Sequence, residues 1–129
     1  MENTNVFDYI NVLGKAADAS YLRNQAISNN IANATTPNYK RQDVSFENEL
    51  EKALGNRHFE TMDAKVAGIS LDHIQPKTYT DASAYSYRLD GNNVDIDTEN
   101  VYLAENQIKY NAILDAVTKE FDNLKSVMK

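Results

Sequence analysis

A chain of 129 residues, 42% hydrophobic and 25% charged, is long enough for one folded unit and too apolar for wholesale disorder. It has no cysteine, which excludes disulfides, thiol catalysis and thiolate metal sites. The net charge of −6 sits in residues 47–97, where ten acids face five bases, while segments 1–46 and 98–129 carry 0 and −1; no basic patch offers itself to nucleic acid.

Met1 to Asp8 lacks a basic region followed by an apolar run, so no cleaved secretory signal is expected. No apolar stretch approaches the roughly 18 residues that span a bilayer. The first element is a helix over about Asn5 to Ala34. Val6, Ile10, Leu13, Ala17, Ser20, Asn24, Ile27, Ile31 and Ala34 recur in steps of four and three, a heptad seam. Asn5 can cap its start, with Asp8 three residues on, and Thr35-Thr36-Pro37 ends it, because proline disfavours helix in the residue before it. Thirty helical residues would be about 45 Å long, which suits a rod or bundle. The seam is polar at its centre, at Ser20 and Asn24. Such residues cost stability but fix register and partner number.

A short helix is expected over Ser45 to Leu54, with Phe46, Leu50 and Leu54 on one face and Gly55 as terminator. Residues 56–80 fit neither period. Tyr85, Tyr87 and Leu89 alternate, as do Val94 and Ile96, and Asp90-Gly91 lies between them, which reads as a short β-hairpin. The last element is a helix over about Thr98 to Met128, with Asp97 or Thr98 as cap. Its seam runs Leu103, Gln107, Tyr110, Leu114, Val117, Phe121, Leu124 and Met128, and Val101, Ala104, Ile108 and Ile113 widen the apolar face. The fold class is therefore mainly α. Long terminal helices (1–40 with the turn, and 98–129) pack as a coiled coil or bundle around a small irregular middle, 41–97, in one structural unit. Periodicity alone leaves two arrangements open: an antiparallel pair within one chain, or a coiled coil between subunits.

Little in the chain points to catalysis. His58 and His73 stand fifteen positions apart with no clustered ligands, whereas zinc needs three or four. The acidic run Asp90 to Glu99 fails the calcium-loop pattern in two registers: counted from Asp90, Val94 falls where a ligand is needed and Asp95 where glycine is needed, and counted from Asn93, Thr98 takes the glycine position and Ala104 the glutamate position. Asp90-Gly91 is better read as a turn, and Asp97 and Glu99 as acids favouring the positive end of the next helix. No glycine-rich phosphate loop and no serine–histidine–carboxylate spacing occurs, so no catalytic residue, metal or cofactor is expected. Eight tyrosines, among them Tyr9, Tyr21, Tyr39, Tyr102 and Tyr110, suit interfaces because they bury area and keep a polar tip.

Arg23 to Lys40 (RNQAISNNIANATTPNYK) resembles the signature of flagellar rod, hook and hook-associated proteins: an N-N-I-A-N core closing the first helix, then a T-P-G-Y-like turn. Asn29, Asn30, Ile31, Ala32, Asn33, Thr36, Pro37 and Tyr39 all fall in place. Asn38 stands where glycine is usual, and asparagine tolerates a left-handed backbone. Leu89 to Asp97 and Leu103 to Tyr110 are similar to the FlgB-type rod proteins, and the E-M-v-x-m-I-x-A-x-R-x-Y-x-x-N pattern of neighbours such as FlgC is missing.

The resemblance implies a structural subunit of the flagellar proximal rod, exported by the flagellar type III apparatus without a cleaved signal. Its terminal helices would line the tube that surrounds the export channel and transmits torque. The implied partners are further copies, FlgC and neighbouring rod subunits, FliE, and the base formed by MS ring and export gate. The signature residues would serve assembly. Leu103, Tyr110, Leu114, Val117, Phe121 and Leu124 would serve packing of the last helix. The weak seams suggest that both ends gain their final order from neighbouring subunits. A soluble helical adaptor or export chaperone would also explain the acidity and size, but not the signature.

Overall fold

The computed structural model describes residues 7–55, 60–82 and 88–128. In chain order they form α1 (Asp8–Ala32), β1 (Gln42–Ser45), α2 (Glu47–Leu54), α3 (Met62–Ala67), a 3₁₀ turn (Leu71–His73), β2 (Lys77–Thr80) and α4 (Ile96–Val127). The molecule is mainly helical, with long first and last helices and a small antiparallel sheet in the middle.

α1 is the central element. On one side α4 lies antiparallel to it: Asn106 Nδ2 donates to the Ser20 carbonyl (2.8 Å), and Asn30 Nδ2 to Glu99 Oε2 (3.2 Å). Elsewhere on α1 the middle segment closes a small core of Ala19, Phe46 and Ile74, against which Ala16, Leu50 and Ile69 pack. The pairing chosen within this chain is thus the antiparallel one.

The α1 seam is placed as its spacing predicts. Ser20, Ile27 and Ala34 are buried, and Ile10, Leu13, Ala17, Asn24 and Ile31 are half-buried. Val6 and the cap Asn5 lie outside the described residues. The α4 seam is rotated from the expected one. The covered stripe is Glu99, Leu103, Asn106, Tyr110, Ile113, Val117, Glu120 and Leu124, again in steps of four and three. Leu114, Phe121 and Met128 fall outside it, with Leu114 42% and Phe121 47% exposed. Apolarity alone had favoured Leu114 and Phe121. The rotation admits Glu99 and Asn106, which find partners across the helix pair.

α2 matches its expected face: Phe46 is buried, Leu50 and Leu54 are half-buried, and Gly55 ends the helix at φ 67°, open to glycine. α4 starts earlier than expected, because Asp95 caps it by accepting from the Asp97 and Thr98 amides (3.0 and 3.5 Å).

The sheet is not built around Asp90-Gly91. β1 pairs with β2, with Gln42 opposite Thr80 and Ser45 opposite Lys77. Tyr85 and Tyr87 lie outside the described residues, and Val94 and Ile96 are not strand. Side chains divert the backbone there. Asp90 Oδ1 accepts from the Asn92 amide (3.1 Å) and Asn92 Oδ1 from the Val94 amide (2.8 Å), taking donors a ladder would use. Ile96 is already the first residue of α4.

Candidate functional site

The signature turn is a closed hydrogen-bond system. A helix leaves its last carbonyls without partners, and a sharp exit must supply them. Here Asn29 O accepts from the Asn33 amide (3.0 Å) and from Asn33 Nδ2 (2.8 Å), and Ile31 O from the Ala34 amide (3.2 Å). Beyond the helix, the buried Asn92 donates through Nδ2 to Asn33 O (2.8 Å) and Thr36 O (2.9 Å), and Arg88 donates to Ala34 O (2.7 Å). Thr36 Oγ1 donates to Asn33 Oδ1 (3.2 Å). Asn38 takes the left-handed conformation at φ 60°, and its amide donates to Asp90 O (2.7 Å). The turn therefore docks on the loop 88–94, and Lys40 adds a bond from Nζ to Gly91 O.

Asn30 is the centre of the site, with 0% of its surface exposed. Its carboxamide pairs with the Gln42 backbone as a strand would: Nδ2 donates to Gln42 O and Oδ1 accepts from Gln42 N, both at 2.8 Å. Oδ1 also accepts from the Tyr39 hydroxyl (3.1 Å), and Nδ2 reaches Glu99. Both donors and both acceptor sites of the amide are used. Burial, then the Glu99 charge, raise the Tyr39 pKa and keep its hydroxyl a donor.

Glu99, 1% exposed, is the acid beneath this hub. Arg41 Nε bonds Glu99 Oε1 (2.7 Å), and Arg41 Nη1 bonds Asp81 (2.6 Å). The guanidinium also lies 5.5 Å from the Tyr102 ring centroid. Burial works against the Arg41 charge, but the bonds to Glu99 and Asp81 outweigh it and raise its pKa. A second clasp joins α1, α2 and α4. Arg23 holds both oxygens of Glu47 (2.6 and 2.7 Å) and the Val44 carbonyl (2.9 Å), and Lys109 also reaches Glu47. The Arg23 bond leads in pulling the Glu47 carboxyl down to about 2.

Of the residues singled out by the signature, Asn30, Asn33, Thr36 and Tyr39 are joined in this network. Asn29 contributes its carbonyl, Ile31 is half-buried with its carbonyl bonded, and Ala32 and Pro37 lie on the surface. On α4, Leu103, Tyr110, Val117 and Leu124 line the covered stripe, while Leu114 and Phe121 flank it. Sequence reasoning missed Arg41, Asn92 and Asn106, and it assigned Glu99 only to the helix dipole. The Asn92 signal was present: it follows a glycine turn and belongs to the stretch tested for calcium. His58 lies outside the described residues, and His73 is exposed. Among the described residues no group of three or more His, Asp or Glu is arranged to hold a metal ion, and no helix is long and apolar enough to cross a membrane. The site holds backbone geometry and surfaces together.

No family model matches the chain. Curated relatives do. The flagellar basal body rod protein FlgB of Bacillus subtilis is 35% identical over 116 residues, covering 90% of this chain and 89% of its own. The protein of that name from Borreliella burgdorferi is 35% identical over 121 residues, covering 87% and 89%. That of Escherichia coli is 32% identical over 113 residues, covering 82% of each. The chain belongs to the FlgB family of flagellar basal body rod proteins. Within this FlgB-family chain the signature asparagines close α1, fix its exit and tie it to the start of α4.

Proposed function

We propose that the chain is a structural subunit of the proximal rod, built with its terminal helices into the axial tube around the export channel and passing motor torque along it. The observation that carries this reading is an α4 whose heptad-spaced apolar residues Leu114, Phe121 and Met128 remain uncovered by the chain's own fold. Val101 and Ile108 are also more than half exposed. Two apolar strips on different sides of one helix suit head-to-tail contacts, which extend into an open array.

The signature residues Asn29, Asn30, Ile31, Ala32, Asn33, Thr36, Pro37 and Tyr39 serve by fixing the angle between the α1–α4 pair and the middle segment. Leu103, Tyr110, Val117 and Leu124 hold the pair, and Leu114 and Phe121 face neighbours. The partners on this reading are further copies, FlgC and neighbouring rod subunits, and FliE at the MS ring and export gate. Export runs through the flagellar type III apparatus without signal cleavage. Beyond Asn106, α4 has no fully buried residue, which supports a terminal segment that gains its final order from neighbours.

Fractionation tests the reading. The chain is expected to copurify with basal bodies, and recovery only in the soluble fraction would favour a helical adaptor or chaperone instead. Ile31→Asp should block incorporation and motility. Near-complete helicity of both ends in dilute monomer, measured by circular dichroism, would overturn the coupled ordering.

A further inference from the structure

Among the described residues one buried side-chain polar atom has no partner. Asn106, 5% exposed, spends its Nδ2 on the Ser20 carbonyl, while its Oδ1, an acceptor with no solvent exposure to speak of, accepts from nothing among the described residues. Buried acceptors are normally satisfied, so an orphan asks for a donor from elsewhere. The Asn106 side chain lines two clefts. One, of about 260 Å³, is walled by Ser20, Tyr21, Asn24, Gln107 and Tyr110; the other, of about 290 Å³, by residues including Arg23, Tyr102 and Lys109. In the second cleft Arg23 and Lys109 are already engaged with Glu47. The first is uncharged and opens between the two long helices at the polar centre of the α1 seam.

Gln107, which walls that first cleft, begins a row at seven-residue spacing: Gln107, Leu114, Phe121, Met128. Leu114, Phe121 and Met128 are the uncovered residues flanking the seam. A row of that period is read by another helix, not by a strand or a loop. We propose that Asn106 is a register pin: a helix of a neighbouring rod subunit docks along Gln107, Leu114 and Phe121, parts the cleft between Ser20 and Tyr110 as it seats, and places a hydrogen-bond donor on the Asn106 Oδ1 so uncovered. This rests on the rod-subunit reading and adds which residue sets the axial position of the docked helix. A seam asparagine fixes register because only one sliding position satisfies it. Here one half of the amide sets the register of α4 on α1, and the other half sets that of the incoming helix.

The experiment compares incorporation of wild type, Asn106→Leu and Phe121→Asp into basal bodies, alongside the helicity and urea midpoint of each free chain. Wild type absent from basal bodies overturns the rod reading itself. With wild type present, the pin predicts that N106L keeps a near wild-type midpoint as a free chain yet incorporates at least tenfold less. F121D should fail to incorporate for want of the docking row. Wild-type incorporation of N106L overturns the pin, and wild-type incorporation of F121D overturns the docked helix. Should N106L lower the midpoint, Asn106→Asp decides: it keeps an acceptor oxygen and gives up the donor to Ser20, so on the pin it incorporates at least tenfold better than N106L, and incorporation no better than that of N106L overturns the pin.

Discussion

The two ends of the α1–α4 pair are held in different ways. At the turn end, where α1 stops and α4 starts, Asn30, Asn92, Arg41 and Glu99 make a network of directional bonds with almost no freedom left. At the far end, Ile10 and Leu13 of α1 and Val117 and Leu124 of α4 are half-buried apolar side chains. A tie across elements there joins Tyr9 to Asp63 of α3, and it raises the Tyr9 pKa to about 12. Polar networks specify one geometry because an unmade bond in low dielectric is costly. Half-buried apolar stripes specify little until something covers them. The chain is therefore closely specified where it sets an angle and permissive where its apolar stripes stay half-covered.

The sharpest way to break this contrast is Asn30→Asp. It removes the donor to Gln42 O and sets a carboxylate against that of Glu99, and it should cost about 3–5 kcal/mol, the range for an uncompensated buried charge. Urea unfolding checks it; a loss under about 1 kcal/mol would mean that the hub is not what holds the turn end. Glu99→Gln keeps the shape and removes the charge that Arg41 pairs with. The expected loss is about 1.5–3 kcal/mol, as for a hydrogen bond to a charged group.

Gly91→Ala probes how tightly the two loops interlock. Gly91 has φ +75°, and an added Cβ would lie 2.6 Å from Asn38 Oδ1. A loss of about 1–2 kcal/mol is expected from the left-handed backbone alone, with the clash added. Asn38→Gly should relieve the clash but not the backbone strain. The double mutant G91A/N38G should thus recover part of the loss, and strict additivity would show that the two loops are not coupled.

Acid tests the clasp between the two ends. Glu47, held at about 2 against an ordinary 4.5, contributes stability that is complete above the ordinary value. That contribution fades as pH falls from about 4.5 towards 2. Melting temperatures at pH 6, 4 and 3 should drop more for wild type than for Glu47→Gln, by a small amount because the carboxylate is half-exposed. The smallest effect belongs to the far end. Leu124→Ala should cost about 1 kcal/mol or less in the free chain, as a half-buried side chain gives only part of the ~1.5–3 kcal/mol of full burial. A loss equal to that of N30D would erase the distinction between the ends.

Much of this plan was legible in the residues. The heptad steps of α1 placed Ser20, Ile27 and Ala34 inside, and the N-N-I-A-N and T-P-x-Y pattern located the turn. Asn38 was readable as left-handed because few residues other than glycine tolerate that conformation. Within the single chain the covered α4 stripe is shifted by one position in its alternate steps from the apolar one. Hydrophobicity chose Leu114 and Phe121, whereas the fold chose Asn106, Ile113 and Glu120. In the described half of the expected hairpin, Val94 and Ile96 form no strand, because local alternation does not report that Asn92 and Asp90 will take the backbone donors themselves.

By itself, the sequence determined what is local: that both ends are long helices, which stripe of α1 is apolar, and where the turn after α1 falls. Only the tertiary structure decided which polar residues would be buried. Glu99 and Asn106 carry no mark of burial in a one-dimensional pattern. A charged or amide side chain goes inside only when partners from distant segments, Arg41 and Asn30 for one and Ser20 for the other, meet it there.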